Sequence, residues 1–144
     1  MKKFAYELDK NVIQIEASEL PPPIISYNVE DNCWYLEQEY PYQHGENLIK
    51  VPKGFDFDLA SIPRFLWWLI APFELSISAP LLHDFIYVHR GHLPEGSIVP
   101  VRIYTRKQAD KLFKWMMKQE GVSKWRMNAA YLAVRWFGKR AWIT

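Results

Sequence analysis

A chain of 144 residues that is 49% hydrophobic and 16% aromatic is long enough for one domain with a real core and too apolar for a disordered segment. Its net charge of +2 hides a division: residues 1–100 carry seven Lys/Arg against fourteen Asp/Glu, net −7, and residues 101–144 carry eleven against two, net +9. One cysteine, Cys33, excludes an internal disulfide, and the longest apolar run, Phe65 to Phe73 with Pro72 inside it, is too short for a membrane span.

Residues 1–23 read as a leader to the domain, with a short strand at Val12–Ile15 and a stiff break at Pro21-Pro22-Pro23. Lys2 and Lys3 precede no apolar stretch, so this start does not read as a signal peptide. Ile24–Val29 and Cys33–Tyr40 form a predicted hairpin around Asp31-Asn32. Asn47–Val51 reads as a third strand and Phe55–Asp58 as a brief extended segment. Ser61 and Pro63 then open a short apolar helix, Phe65–Ile70, that must stop at Ala71-Pro72. A second helix runs from Ser76 or Ser78 to His89 and ends near Gly91. Ile98–Tyr104 is strand-like but broken by Pro100. Thr105 and Gln108 make a capping box for a helix through Glu120, whose Ala109, Leu112, Phe113, Met116 and Met117 share one face. Ser123 caps a last helix to about Trp142, with Gly138 as an earlier stop. The expected fold is α+β in a single domain, 1–144. A small antiparallel sheet from the β-rich part (24–60) packs on a mainly helical part (61–142) with two antiparallel long helices.

The chemistry concentrates in Leu81-Leu82-His83-Asp84-Phe85-Ile86-Tyr87. On a helix His83 and Tyr87 share a face and Asp84 turns to its flank. Asp110, on the next helix, is placed to meet His83 if the two helices run antiparallel. A carboxylate on the far nitrogen of an imidazole sets its tautomer and readies it as a general base. Tyr87 reaches the same carboxylate, and Asp84 points with Asp58 toward the 55–61 loop, where two carboxylates and backbone carbonyls suit Ca²⁺. With the metal as Lewis acid, that arrangement describes hydrolysis of an ester without a covalent intermediate. The competing reading is a hydrogen-bonded core cluster.

His44, His89 and His92 fall in loops or at a helix end, and Cys33 reads as a packed thiol. Trp125, Trp136 and Trp142, interleaved with Lys124, Arg126, Arg135, Lys139 and Arg140, suit an amphipathic helix as well as stacking on single-stranded nucleic acid, which is not favoured.

Val51-Pro52-Lys53-Gly54-Phe55, then Asp58-Leu59-Ala60-Ser61-Ile62-Pro63-Arg64, His83-Asp84 with Tyr87, and Ala109-Asp110 with Phe113 resemble domain of unknown function 1353, a family of small phage and prophage proteins. The resemblance covers roughly 24–142 and implies a phage or prophage origin, with a place in the host cytoplasm or on a virion, but no activity. A local resemblance to phospholipase A2 enzymes covers 80–116. It implies His83 as base, Asp110 as its orienting carboxylate, Tyr87 as hydrogen-bond partner, and Asp84 with Asp58 on calcium. The chain departs from those enzymes in having one cysteine and no glycine across 55–61. Three functions follow as expectations. The first is a calcium-assisted lipid ester hydrolase on an anionic lipid surface. The second is a non-catalytic virion, assembly or host-interaction protein that binds a phage or host protein. The third is a metal-dependent phosphohydrolase on His44, His83, Asp84 and Asp110.

Overall fold

Alternating burial builds the two longer strands of one sheet. The computed structural model describes residues 23–57 and 78–143 in full, and the backbone of 3–8 and 11–16. In β6 (Asn47–Val51) the residues Asn47, Ile49 and Val51 turn inward, and in β5 (Tyr40–His44) Tyr40 and Tyr42 do the same. Their register sets Tyr40 opposite Val51 and Tyr42 opposite Ile49, so one face is apolar. β8 (Ile98–Val99) adds Ile98 beside Ile49 and completes a three-stranded antiparallel sheet, β5-β6-β8. A second sheet, β3-β4-β7, joins Ile25–Asn28, Cys33–Leu36 and Asp56–Phe57. Its hairpin turns where expected: Asn28 Oδ1 accepts the backbone N–H of Glu30 and Asp31, and Asn32 takes a positive φ of 54°. Upstream, β1 (Lys3–Leu8) and β2 (Asn11–Glu16) pair as an antiparallel hairpin.

Helix α1 (Ser78–Val88) is buried on every side from Ser78 to Tyr87, which makes it the central element. α2 (Arg106–Gln119) begins on its capping box, with both arms formed between Thr105 and Gln108. It buries Ala109, Leu112, Phe113, Met116 and Met117, the face read from the sequence. The two helices are antiparallel. Ser78 donates to Glu120, His83 and Tyr87 meet Asp110, and Gly91 pairs with Tyr104, so positions rising along one helix match positions falling along the other. The last pairing needs a glycine. Gly91 has φ +81°, and a Cβ there would sit 1.8 Å from the Tyr104 carbonyl oxygen.

α3 (Lys124–Phe137) stops at Gly138, and α4 (Lys139–Ile143) turns back onto α1. The earlier of the two expected ends is the one used. The described fold is α+β, with small antiparallel sheets in the first half and helices in the second. It differs from expectation in detail. The sheet is divided, Tyr40 belongs to β5 rather than to the preceding strand, and the leader contributes a second strand, β1. The Ser61-capped helix and Asp58 lie outside the described residues. No helix among the described residues is long and apolar enough to cross a membrane.

Candidate functional site

Three helices converge on one carboxylate. His83 and Tyr87, one turn apart on α1, point at α2, where Asp110 sits on the buried face. His83 Nε2 lies 2.7 Å from Asp110 Oδ1, and the Tyr87 hydroxyl donates to the same oxygen at 2.6 Å. From α3, Arg135 Nη1 donates to Oδ2 at 2.6 Å. Arg106, one turn before Asp110 on α2, stands 3.7 Å from Oδ2. Its guanidinium donates to the carbonyls of Val134 and Arg135, at 3.1 Å each, and so ties the start of α2 to the end of α3. Both Asp110 oxygens are occupied, and the residue is 0% exposed.

Opposing forces set the charges. Burial alone would raise the Asp110 pKa, but hydrogen bonds from His83, Tyr87 and Arg135 hold it below 3.8, as a carboxylate. Burial outweighs the pull of Asp110 on His83 and holds the imidazole below 6.5, so it is neutral at pH 7. A neutral ring facing a carboxylate through Nε2 carries its proton there and donates it. Tyr87 is raised out of the working range, chiefly by burial, and stays protonated. The His83 ring is 2% exposed and lies against Tyr87 and Phe113, with centroids 4.2 and 4.7 Å away.

These directions make stability depend on pH. The unfolded chain protonates His83 near 6.5 and the folded chain does not, so the contribution is complete above that pH and is lost as pH falls below it. His89, also held low by burial, adds in the same window. Asp110 loses its contribution lower, as pH falls below 3.8. The melting temperature is therefore expected to begin falling below about pH 6.5, and His83→Asn is expected to flatten the slope between pH 6.5 and 5 in a thermal melt series.

Asp84 turns away from this cluster, as its position beside His83 requires. It is buried at the wall of a cleft of about 960 Å³ between α1 and the β3-β4-β7 sheet. Tyr27, Trp34 and Tyr35 line the same cleft with Asp31 and Asp56. His89 borders it, its ring edge-on to Phe85. Cys33 lies there as a buried free thiol. His44 is elsewhere, with its Nδ1 2.8 Å from the Tyr104 hydroxyl. His44, His83 with Asp110, and Asp84 thus occupy three separate environments. Among the described residues no three His, Cys, Asp or Glu side chains are grouped to hold a metal.

The structure brings His83, Tyr87 and Asp110 together, sets Asp84 on the opposite face, and leaves Asp58 outside the described residues. Sequence reasoning missed Arg106 and Arg135 as partners of Asp110. Arg106 was readable, because Arg106 and Asp110 are four apart on one helix.

A family model described as protein of unknown function (DUF1353) matches residues 34–134. The chain belongs to this family. In this DUF1353 protein the matched span holds His83, Asp84, Tyr87 and Asp110 and ends one residue before Arg135. No curated protein and no solved structure matches. The phospholipase A2 likeness thus rests on the spacing of His83, Asp84, Tyr87 and Asp110 alone.

Proposed function

We propose that this DUF1353 protein works by binding rather than by bond cleavage, as a non-catalytic virion, assembly or host-interaction component of a phage or prophage. In this reading the His83–Tyr87–Asp110–Arg135 cluster is a clamp that holds three helices in register. The observation that carries it is the closure of the cluster: both carboxylate oxygens are occupied, and neither Asp110 nor His83 meets solvent. A general base must come within hydrogen-bond reach of a water or substrate proton. A buried ion pair with both carboxylate oxygens engaged is a structural device that fixes one packing arrangement. Its surroundings would be the host cytoplasm or a virion. Its partner would be a phage or host protein or an anionic lipid surface, with nucleic acid less favoured.

One feature favours a second reading, calcium-assisted hydrolysis of a lipid ester. Asp110 accepts the Nε2–H hydrogen bond on the oxygen it shares with Tyr87, so Nδ1 is the basic nitrogen, and the next residue, Asp84, lines a cleft with Asp31 and Asp56 that could attract calcium. Phospholipid vesicles with Ca²⁺ separate the two. The binding reading expects no more fatty acid from the wild-type protein than from His83→Ala. Release that depends on His83 and on calcium would replace it with the hydrolase.

A further inference from the structure

The outer face of α3 carries large apolar side chains that are exposed. Met127, Ala130, Ala133 and Val134 turn inward, and a second apolar row, Trp125, Ala129, Leu132 and Trp136, follows at spacings of four, three and four residues. Trp136 is 72% exposed, Trp125 55% and Leu132 44%. Phe137 and, on α4, Ile143 continue the exposed apolar surface. Every charged residue from 121 to 144 is positive: Lys124, Arg126, Arg135, Lys139 and Arg140, with no acid among them. The Arg126 guanidinium lies 5.1 Å from the Trp125 ring centroid, so cation and indole share one patch.

We infer that this face docks on an anionic lipid bilayer, with α3 lying in the plane of the headgroups. The inference rests on the binding reading and names one partner for it. Three physical points select the bilayer. A second copy meeting this face would set the exposed Lys124 and Lys139 among like charges, at net repulsion. A protein groove encloses much of a helix, but the opposite side of α3 is already packed on the body through Met127, Ala130 and Val134. A single-stranded nucleic acid needs a groove with successive open rings, whereas this row sits on the outer side of one helix and sets aliphatic Leu132 between Trp125 and Trp136. A membrane surface takes only one face of a helix, receives Trp and Leu at headgroup depth, and is drawn by Lys and Arg at the flanks.

Co-sedimentation with vesicles tests it. Wild-type protein should pellet with vesicles of phosphatidylcholine containing phosphatidylglycerol, and lose that binding when salt is raised or phosphatidylglycerol is left out. Leu132→Ser with Trp136→Ser should lower the partition coefficient more than about tenfold. Lys124→Glu with Lys139→Glu should do the same for anionic vesicles only. Both variants change exposed positions, and unchanged thermal melts confirm their folds. Failure of the wild type to pellet with anionic vesicles overturns the inference. So does pelleting that neither variant weakens, or capture of a single-stranded oligonucleotide without pelleting. Fatty acid is measured in the same samples. His83-dependent release would overturn the non-catalytic reading, while pelleting alone decides the docking face.

Discussion

Asp110→Ala is expected to lower the free energy of unfolding by about 3–5 kcal/mol, the loss typical of removing one partner from a buried ion pair. The carboxylate is the shared acceptor for His83, Tyr87 and Arg135, and each belongs to a different turn or helix. Alanine leaves an imidazole N–H and a phenol without an acceptor in a volume that excludes water. It also leaves the Arg135 guanidinium beside them without its counter-ion, though that side chain, 25% exposed, can still reach solvent. A urea titration reads the loss as a lower midpoint with an unchanged slope. Asp110→Asn keeps one acceptor oxygen and should fall between the two. A loss below about 1 kcal/mol, the range of solvent-exposed pairs, would mean the carboxylate does not bind the helices together.

Gly138→Ala pits two rules against each other. The backbone there is ordinary (φ −76°, ψ −14°), and on local preference alone alanine should stabilise the chain by stiffening its unfolded state. Packing argues the reverse. A Cβ would stand 2.4 Å from the Val134 carbonyl oxygen, 2.8 Å from the Tyr87 hydroxyl and 3.1 Å from Tyr87 Cε2. The Val134 carbonyl also receives Arg106, so one methyl group presses on Tyr87 of the clamp and on the carbonyl that anchors Arg106 beside it. Overpacking of this kind costs about 1–3 kcal/mol, and it should win. Thermal denaturation reads the sign directly. If the damage passes through Tyr87, then adding Tyr87→Phe, which removes the hydroxyl, should recover part of it, so that the two changes are not additive.

The clamp was half legible in the sequence. His83, Tyr87 and Asp110 could be paired before any coordinates, because helical periodicity places the first two on one face and a capping box starts the second helix at a known residue. Antiparallel packing of adjacent helices supplied the rest. Arg135 was not legible, because its side chain reaches Asp110 through the α2–α3 packing, which no local spacing encodes. The division of the sheet escaped for a similar reason. Tyr40 looked like the end of one strand, whereas it opens β5, an edge strand where the missing N–H of the next residue, Pro41, is tolerated. The opposite aim of Asp84 was readable, since adjacent helical residues diverge by about 100°, but the aromatic and acidic lining of its cleft comes from β3, β4 and β7, distant in the chain.

Nitrogen-15 NMR of the His83 ring, followed from pH 8 to pH 5, tests the clamp most directly. A sealed, neutral imidazole held to Asp110 predicts a protonated Nε2, a proton that exchanges slowly with water, and no titration near 6.5. An imidazole that titrates at its ordinary value and trades its proton freely with solvent would contradict the account.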